Sequence, residues 1–168
     1  HGISLVPRER MDLLSVFSPE ICKPGKSYVK HAGVVENIDS FYADFFGIRP
    51  AEAGMMDPQQ RMLLEGVWEA LENVGIPPLS LRDTTTSVFT GCSSSDFLSV
   101  VVPVPSSSPF GVTGLMTAAT SGRISFTLGL TGPSLSIDTA CSSSLVAIHV
   151  AYDSLLHKET DMAIVSGV

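Results

Sequence analysis

The residues best suited to chemistry lie in the run Ser134-Leu135-Ser136-Ile137-Asp138-Thr139-Ala140-Cys141-Ser142-Ser143-Ser144-Leu145. It reads as a short strand, a corner of small residues, and then a long apolar helix that opens at a cysteine. The first N–H groups of a helix lack intrahelical acceptors, and the helix dipole places positive charge there. Both features favour thiolate, the nucleophilic form of cysteine. Ala140, Ser142 and Ser143 leave room for a carbonyl carbon to approach the sulfur. Strand, tight corner and helix make the geometry of a nucleophile elbow, with sulfur in place of a serine oxygen. The chemistry of such a group is acyl transfer, in which sulfur attacks a thioester and main-chain N–H groups hold the oxyanion. The same corner also suits a small buried cysteine with no reactivity, and residue type alone leaves both readings open.

No other side chain in the sequence completes a catalytic set with Cys141. His149 is eight residues further along the same helix, roughly 12 Å away at the helical rise, and His157 is about 24 Å away. Neither imidazole reaches the sulfur, and His149 is expected to be a satisfied core or interface histidine. His31 falls in an irregular N-terminal region and His1 at the chain start. The three cysteines, Cys22, Cys92 and Cys141, are widely spaced with no CxxC or CxxxH pattern, which argues against a zinc site or a disulfide framework. A reducing, cytoplasmic compartment fits them best.

The elements that position Cys141 follow from periodicity and punctuation. Residues 1–38 mix Pro7, Pro19, Pro24, Gly25 and Gly33 with scattered charge and read mostly as loop with short turns. Asp39 is placed to cap a short helix through Phe45, with Phe41, Phe45 and Phe46 turned inward. Asp57, Pro58 and Gln60 form a capping-box pattern. Leu63, Leu64, Val67, Trp68 and Leu71 then make one apolar stripe that ends at Gly75 and Pro77-Pro78. Arg61, Glu65, Glu69 and Glu72 fall on the opposite, solvated side, with Arg61 spaced to pair with Glu65. Ser87 to Thr90 reads as a buried strand, and Ser93 to Pro109 as a surface loop. Gly114 to Leu128 reads as one helix, in which the lone charge of Arg123 needs a partner and anchors structure. The helix from Cys141 or Ser142 to about His157 is apolar on nearly every side and should be buried. Met162 to Val165 forms a last strand. Alternating strands and helices predict an α/β fold with a mainly parallel sheet.

Composition excludes several function classes. The 168 residues suit one domain, here taken as residues 1–168, and carry a net charge of −7. No basic run neutralises phosphates, so nucleic acid is not a partner. Hydrophobic residues make up 44% of the chain, but no apolar run approaches the roughly 18–20 residues of a membrane span. The longest doubtful run, Val100 to Pro105, is broken by prolines. The N-terminus has neither an initiator methionine nor a signal-peptide pattern, and reads as cut from something longer.

The string Asp138-Thr139-Ala140-Cys141-Ser142-Ser143-Ser144-Leu145 resembles the active-site signature of β-ketoacyl synthases, in the form found in type I polyketide synthases and animal-type fatty acid synthases. Further blocks are similar in the same order. These are Phe45-Phe46-Gly47-Ile48, Asp57-Pro58-Gln59-Gln60-Arg61, Trp68-Glu69-Ala70-Leu71-Glu72, Ser121-Gly122-Arg123-Ile124-Ser125 and Gly129-Leu130-Thr131-Gly132-Pro133-Ser134. The Trp68 block leans toward a polyketide synthase. Met11, Arg49 and Ser166 depart from the usual wording, where tryptophan, a capping serine and glycine are common.

The resemblance implies a thiolase-like layered fold, of which this chain covers the N-terminal half without its opening strand. It implies that Cys141 is the nucleophile and that its backbone N–H is one oxyanion donor. The second donor, two histidines and a supporting lysine belong to a second half, and none of those motifs occurs before Val168. The implied reaction is decarboxylative Claisen condensation of an acyl thioester with a malonyl-type extender. The implied partners are an acyl carrier protein, other domains of a multidomain synthase, and a second copy in a homodimer. No metal or bound cofactor is implied, because the phosphopantetheine arm belongs to the carrier. That carrier is itself acidic, so on a chain of this charge any docking patch must be local, or lie outside it. Cut at Val168, the helix after Cys141 would expose apolar surface, and the isolated chain would be inactive. The alternatives are a condensing-like domain that does not elongate, and an inactive structural fragment.

Overall fold

The structure, a computed structural model, describes residues 2–93, 95–97, 99 and 109–168. Most of the segment expected to be a surface loop, including residues 100–108, lies outside them. The chain divides into two compact units, His1–Ile38 and Asp39–Val168.

In the first unit, prolines and glycines keep regular structure short. Strand β1 (Ser4–Leu5) pairs antiparallel with β2 (His31–Ala32), placing Leu5 opposite His31. Between them lies α1 (Leu13–Val16), whose Leu14 N–H donates to the Asp12 carboxylate at 3.1 Å. The chain then doubles back, with Ser18 N–H donating to Ser27 O and Ser27 N–H to Val16 O.

The second unit is an α/β sandwich. In order it holds α2 (Pro50–Ala53), α3 (Pro58–Asn73), a 3-10 turn (Pro78–Leu81), β3 (Thr86–Gly91), α4 (Pro109–Leu115), α5 (Ala118–Leu128), β4 (Ser134–Ile137), α6 (Ser143–Leu156) and β5 (Met162–Gly167). The three strands form a parallel sheet in the order β4-β3-β5, with Phe89 opposite both Leu135 and Val165. The central strand β3 is buried along its whole length. Its side chains alternate, so Val88 joins a core of Met56, Leu63, Leu64, Val67, Leu71, Leu81, Ile124 and Leu128 on one face. Phe89 packs on Ala147 and Ala151 of α6 on the other. Each large core side chain contributes about 1.5–3 kcal/mol through removal from water.

Helix α3 follows its sequence pattern closely. The Asp57 carboxylate accepts from Gln59 N–H at 2.8 Å, and Leu63, Leu64, Val67 and Leu71 are buried. Trp68 is half-buried against Phe45 and Phe46, with its ring N–H on Glu72. Gly75, at φ +75°, ends the helix.

Five expectations need correction. Residues 39–47 form turns and no helix, with Ala43, Phe46 and Gly47 donating to carbonyls two or three residues back. So short a helix nucleates poorly, and the turns let Phe41, Phe45 and Phe46 cluster; Phe45 itself remains exposed.

Gln60 does not reach back to complete a capping box. Its buried amide donates to the carbonyls of Thr113 and Gly114, at 3.2 and 3.0 Å, which the end of α4 leaves without intrahelical partners.

Arg61 does not pair with Glu65. Its guanidinium lies over the Phe97 ring and donates to Asp39 O, while Glu65 accepts from Tyr42 N–H at 3.1 Å. Burial pushes the Arg61 pKa down, against the opposing pull of Asp57, Asp39 and Glu65.

The single helix expected from Gly114 to Leu128 is two, broken at Met116-Thr117. Gly114 packs its backbone on the Met55 main chain and accepts from Asp57 N–H at 3.0 Å, and this docking ends α4.

Helix α6 starts at Ser143 and not at Cys141 or Ser142, and only its inner face is buried. Leu145, Ile148, Tyr152, Leu155 and Leu156 are exposed, the apolar surface expected of this helix in this chain.

Candidate active site around Cys141

Because the three strands are parallel, their C-terminal ends meet on one side of the sheet, where ligands of α/β folds commonly bind. The start of α6 sits against that edge, and two glycines make the approach possible. A β-carbon on Gly91 would lie 2.5 Å from Ser144 N and 2.6 Å from Ser143 C, and one on Gly167 would strike Ser144 Oγ. A side chain at Gly91 would push the helix start away from the sheet, and one at Gly167 would require the Ser144 side chain to move.

The corner between β4 and α6 is held by short polar residues. Asp138 Oδ1 accepts from Ala140 N–H at 3.0 Å. Ser143 Oγ accepts from Thr139 N–H at 2.9 Å and donates to Ala140 O at 2.7 Å, clamping both sides of the corner from a buried position. Ser142 Oγ donates to Thr139 O at 2.8 Å. These bonds hold Ala140 in the left-handed region at φ +55°, a conformation that costs an L-residue about 1–2 kcal/mol. The next residue is Cys141, and it is exposed. The fold therefore bends the backbone sharply at the end of a strand and presents a thiol at the head of a 14-residue helix.

The other cysteines differ in setting. Cys22 is exposed in the first unit. Cys92, just after β3, is buried, and its N–H donates to Ile137 O at 3.0 Å. Burial pushes the Cys92 thiol up, against hydrogen bonding from the Thr120 and Ser136 side chains that favours the thiolate.

His149 is not a core histidine. It is exposed and its Nε2 lies 3.3 Å from Asp153 Oδ2, one turn along α6. An i,i+4 spacing on an uncovered helix face gives it a surface partner in place of a buried one. His157 contacts Asp153 O through Nδ1 at 2.8 Å. Arg123 does anchor structure. Its guanidinium meets Glu52 Oε1 at 2.6 Å and Gln60 Oε1 at 2.7 Å, which ties α2, α3 and α5 together. Glu52 and Gln60 are not legible as its partners in the sequence, where only the need for a counter-charge is visible. Ser166, in place of the usual glycine, bonds the buried Thr90 hydroxyl at 2.9 Å. Among the described residues no group of three or more His, Cys, Asp or Glu side chains is placed to hold a metal ion. No described helix is long and apolar enough to cross a membrane.

A family model of the β-ketoacyl synthase N-terminal domain matches residues 1–168. The chain belongs to the β-ketoacyl synthase family. Its relatives include a phenolphthiocerol/phthiocerol polyketide synthase of Mycobacterium tuberculosis, 47% identical over 100% of this chain and 11% of that protein. Erythronolide synthase EryA2 of Saccharopolyspora erythraea is 48% identical over 98% of this chain and 5% of that protein. A ketosynthase from module 6 of the bacillaene synthase of Bacillus subtilis superimposes with TM-score 0.84 at 36% identity, covering 99% of this chain and 27% of that one. The oxazolomycin ketosynthase domain OzmH KS7 of Streptomyces albus gives 0.86 at 30% identity, covering 99% and 29%. The fold is thus that of polyketide synthase ketosynthases, thiolase-like and α/β. The chain spans only a small part of the multidomain relatives, and roughly a quarter of the solved ketosynthase chains.

Proposed function

We propose that this chain supplies the acyl-accepting cysteine of a ketosynthase that elongates polyketide chains by decarboxylative condensation. The observation that carries the reading is the exposed Cys141 thiol, set by a strained corner at the head of α6 within a chain of this family. In the loading step the Cys141 thiolate attacks the acyl carbon of a carrier-bound thioester. A carbon–sulfur bond forms to Cys141, the bond to the carrier arm breaks, and the carrier leaves as thiolate. On this reading the Cys141 N–H, two residues ahead of the first turn of α6, is one donor to the oxyanion. In the second step a malonyl-type thioester on a carrier loses carbon dioxide. Its carbanion attacks the acyl carbon on Cys141, the new carbon–carbon bond lengthens the chain by two carbons, and the Cys141 thiolate is released. Proton handling and the second oxyanion donor fall to groups outside this chain. The phosphopantetheine arm comes with the carrier, and the domain itself binds no cofactor.

Incubation of the full-length enzyme with an acyl-carrier thioester, followed by peptide mass mapping, tests this directly. The expected result is one acyl adduct on Cys141, absent in Cys141→Ala. An adduct elsewhere, or an undiminished adduct in that variant, contradicts the assignment.

A further inference from the structure

The head of α6 rests on two strand ends, and a pair of hydroxyls that the loading and condensation steps do not use joins those ends. Ser144, three residues after Cys141, sits in a notch between Gly91 of β3 and Gly167 of β5, where a β-carbon on either glycine would strike it. Gly91 and Gly167 are register partners, and the pair just before them is Thr90 and Ser166. Side chains alternate along a strand, so Thr90 and Ser166 project from the face opposite α6. They share it with Val88 and Ile164, which pack into the core beneath α3 and α5, whereas Phe89 and Ala163 pack on α6. On that face of β5 the sequence reads Met162, Ile164, Ser166, so the last place holds a hydroxyl where the other two hold apolar side chains. Ser166 Oγ and Thr90 Oγ1 are hydrogen-bonded at 2.9 Å.

Among the described residues β5 pairs with β3 alone and forms an edge of the sheet. An edge strand is held from one side, so the place of Gly167 depends on the bonds that β5 makes to β3. The Thr90–Ser166 bond is the side-chain tie beside the notch, while the tie from Ser87 Oγ to Met162 O lies toward the other end of the strands. We propose that Thr90 and Ser166 are positioning residues for Cys141. Their bond fixes the spacing of Gly91 and Gly167, and through Ser144 it sets how the corner presents the sulfur and the Cys141 N–H to an acyl carbon. The proposal rests on the acyl-accepting role given to Cys141 above. The two halves of the tie differ in their surroundings. Thr90 is fully buried, while Ser166 is half-buried and lines the open groove between α3 and β5 with Gly66 and Val67. Removing the Ser166 hydroxyl strands that of Thr90 away from water, whereas removing that of Thr90 leaves Ser166 free to bond water.

The test follows acylation of Cys141 in the full-length enzyme by an acyl N-acetylcysteamine thioester, in single turnover and well below each variant's melting temperature. Ser166→Ala and Thr90→Val are each expected to lower the saturating acylation rate roughly fivefold to tenfold at unchanged half-saturation, the mark of lost alignment. Thr90→Val keeps the side-chain shape and leaves no buried group unpaired, so it carries the test if Ser166→Ala fails to fold. The double variant should be no slower than the slower single one, because both remove the same bond. Thr90→Ser keeps the hydroxyl and should restore the wild-type rate. Alkylation of Cys141 by iodoacetamide, which develops no oxyanion, should stay within about twofold of wild type in every variant. A Thr90→Val rate equal to wild type overturns the proposal. So do losses that multiply in the double variant, a loss in Thr90→Ser as large as in Thr90→Val, or a parallel loss in alkylation. Absence of any acyl adduct on wild-type Cys141 is a different failure, which overturns the acyl-accepting reading and this proposal with it.

Discussion

Gly91 and Ser144 meet backbone to backbone, so that a β-carbon on the strand residue would sit 2.5 Å from the helix residue's amide nitrogen. The three nearest atoms it would meet are all main chain, and none can swing aside. Gly91→Ala must therefore displace the start of α6 or the end of β3. The expected cost is about 2–3 kcal/mol, the upper range for overpacking. Urea denaturation reads this as a lowered midpoint at unchanged slope, together with slower acylation of Cys141. An unchanged midpoint would show that the helix start is not seated as described.

Ala140 carries the strain of the corner. Ala140→Gly removes the left-handed penalty but adds backbone freedom to the unfolded chain, and these terms are each about 1 kcal/mol. Stability should change little, while the looser corner slows Cys141 acylation. Ala140→Val places a β-branched side chain at φ +55°, and should lose about 2 kcal/mol or more. Thermal melts of the two variants should separate clearly in that order. Coincident melts would mean that the corner relaxes at no cost.

Arg123 is half of a largely buried pair with Glu52, their side chains 15% and 21% exposed. Arg123→Ala strands the carboxylate and frees the Gln60 amide oxygen, at an expected cost of about 3 kcal/mol. Arg123→Lys keeps the charge but not the fork that reaches both partners, and should fall between. Denaturation midpoints check the ranking. A lysine variant as stable as wild type would reduce the role to charge alone.

The buried Cys92 thiol links stability to alkaline pH. Its pKa is raised in the folded chain above the ordinary value of 9.0, so the folded state binds the proton more tightly than the unfolded one. The contribution is complete below that ordinary value and is lost as pH rises through the folded value. Cys92→Ser, which does not ionise there, should flatten the decline in stability above about pH 9. An identical decline in wild type and variant would assign it to other groups.

Much of this arrangement is legible in the sequence, for physical reasons. The α3 stripe, its Asp57 cap and its Gly75 stop are local patterns, and they hold. The strand–corner–helix order around Cys141 is also local, while the family resemblance rests on the residue string itself and on further blocks along the chain. The failures involve distant residues. Gln60 looks like a capping residue until the carbonyls of Thr113 and Gly114 arrive from 53 and 54 residues away. The break at Met116 depends on Met55 packing against Gly114, which no window around residue 116 contains. The exposed apolar face of α6 is not among these failures, since the sequence already marks it as a surface that this chain leaves uncovered.

Competitive alkylation tests the central claim most directly. The full-length enzyme is treated with limiting iodoacetamide near neutral pH, and the labelling rates of Cys22, Cys92 and Cys141 are read by peptide mass spectrometry. Exposure alone would make Cys22 and Cys141 equal, since both are exposed, and would leave buried Cys92 slow. The account predicts that Cys141 reacts first, ahead of Cys22, with Cys92 last, and that prior acylation protects Cys141 alone. Equal rates at Cys22 and Cys141, or no labelling of Cys141, would contradict it.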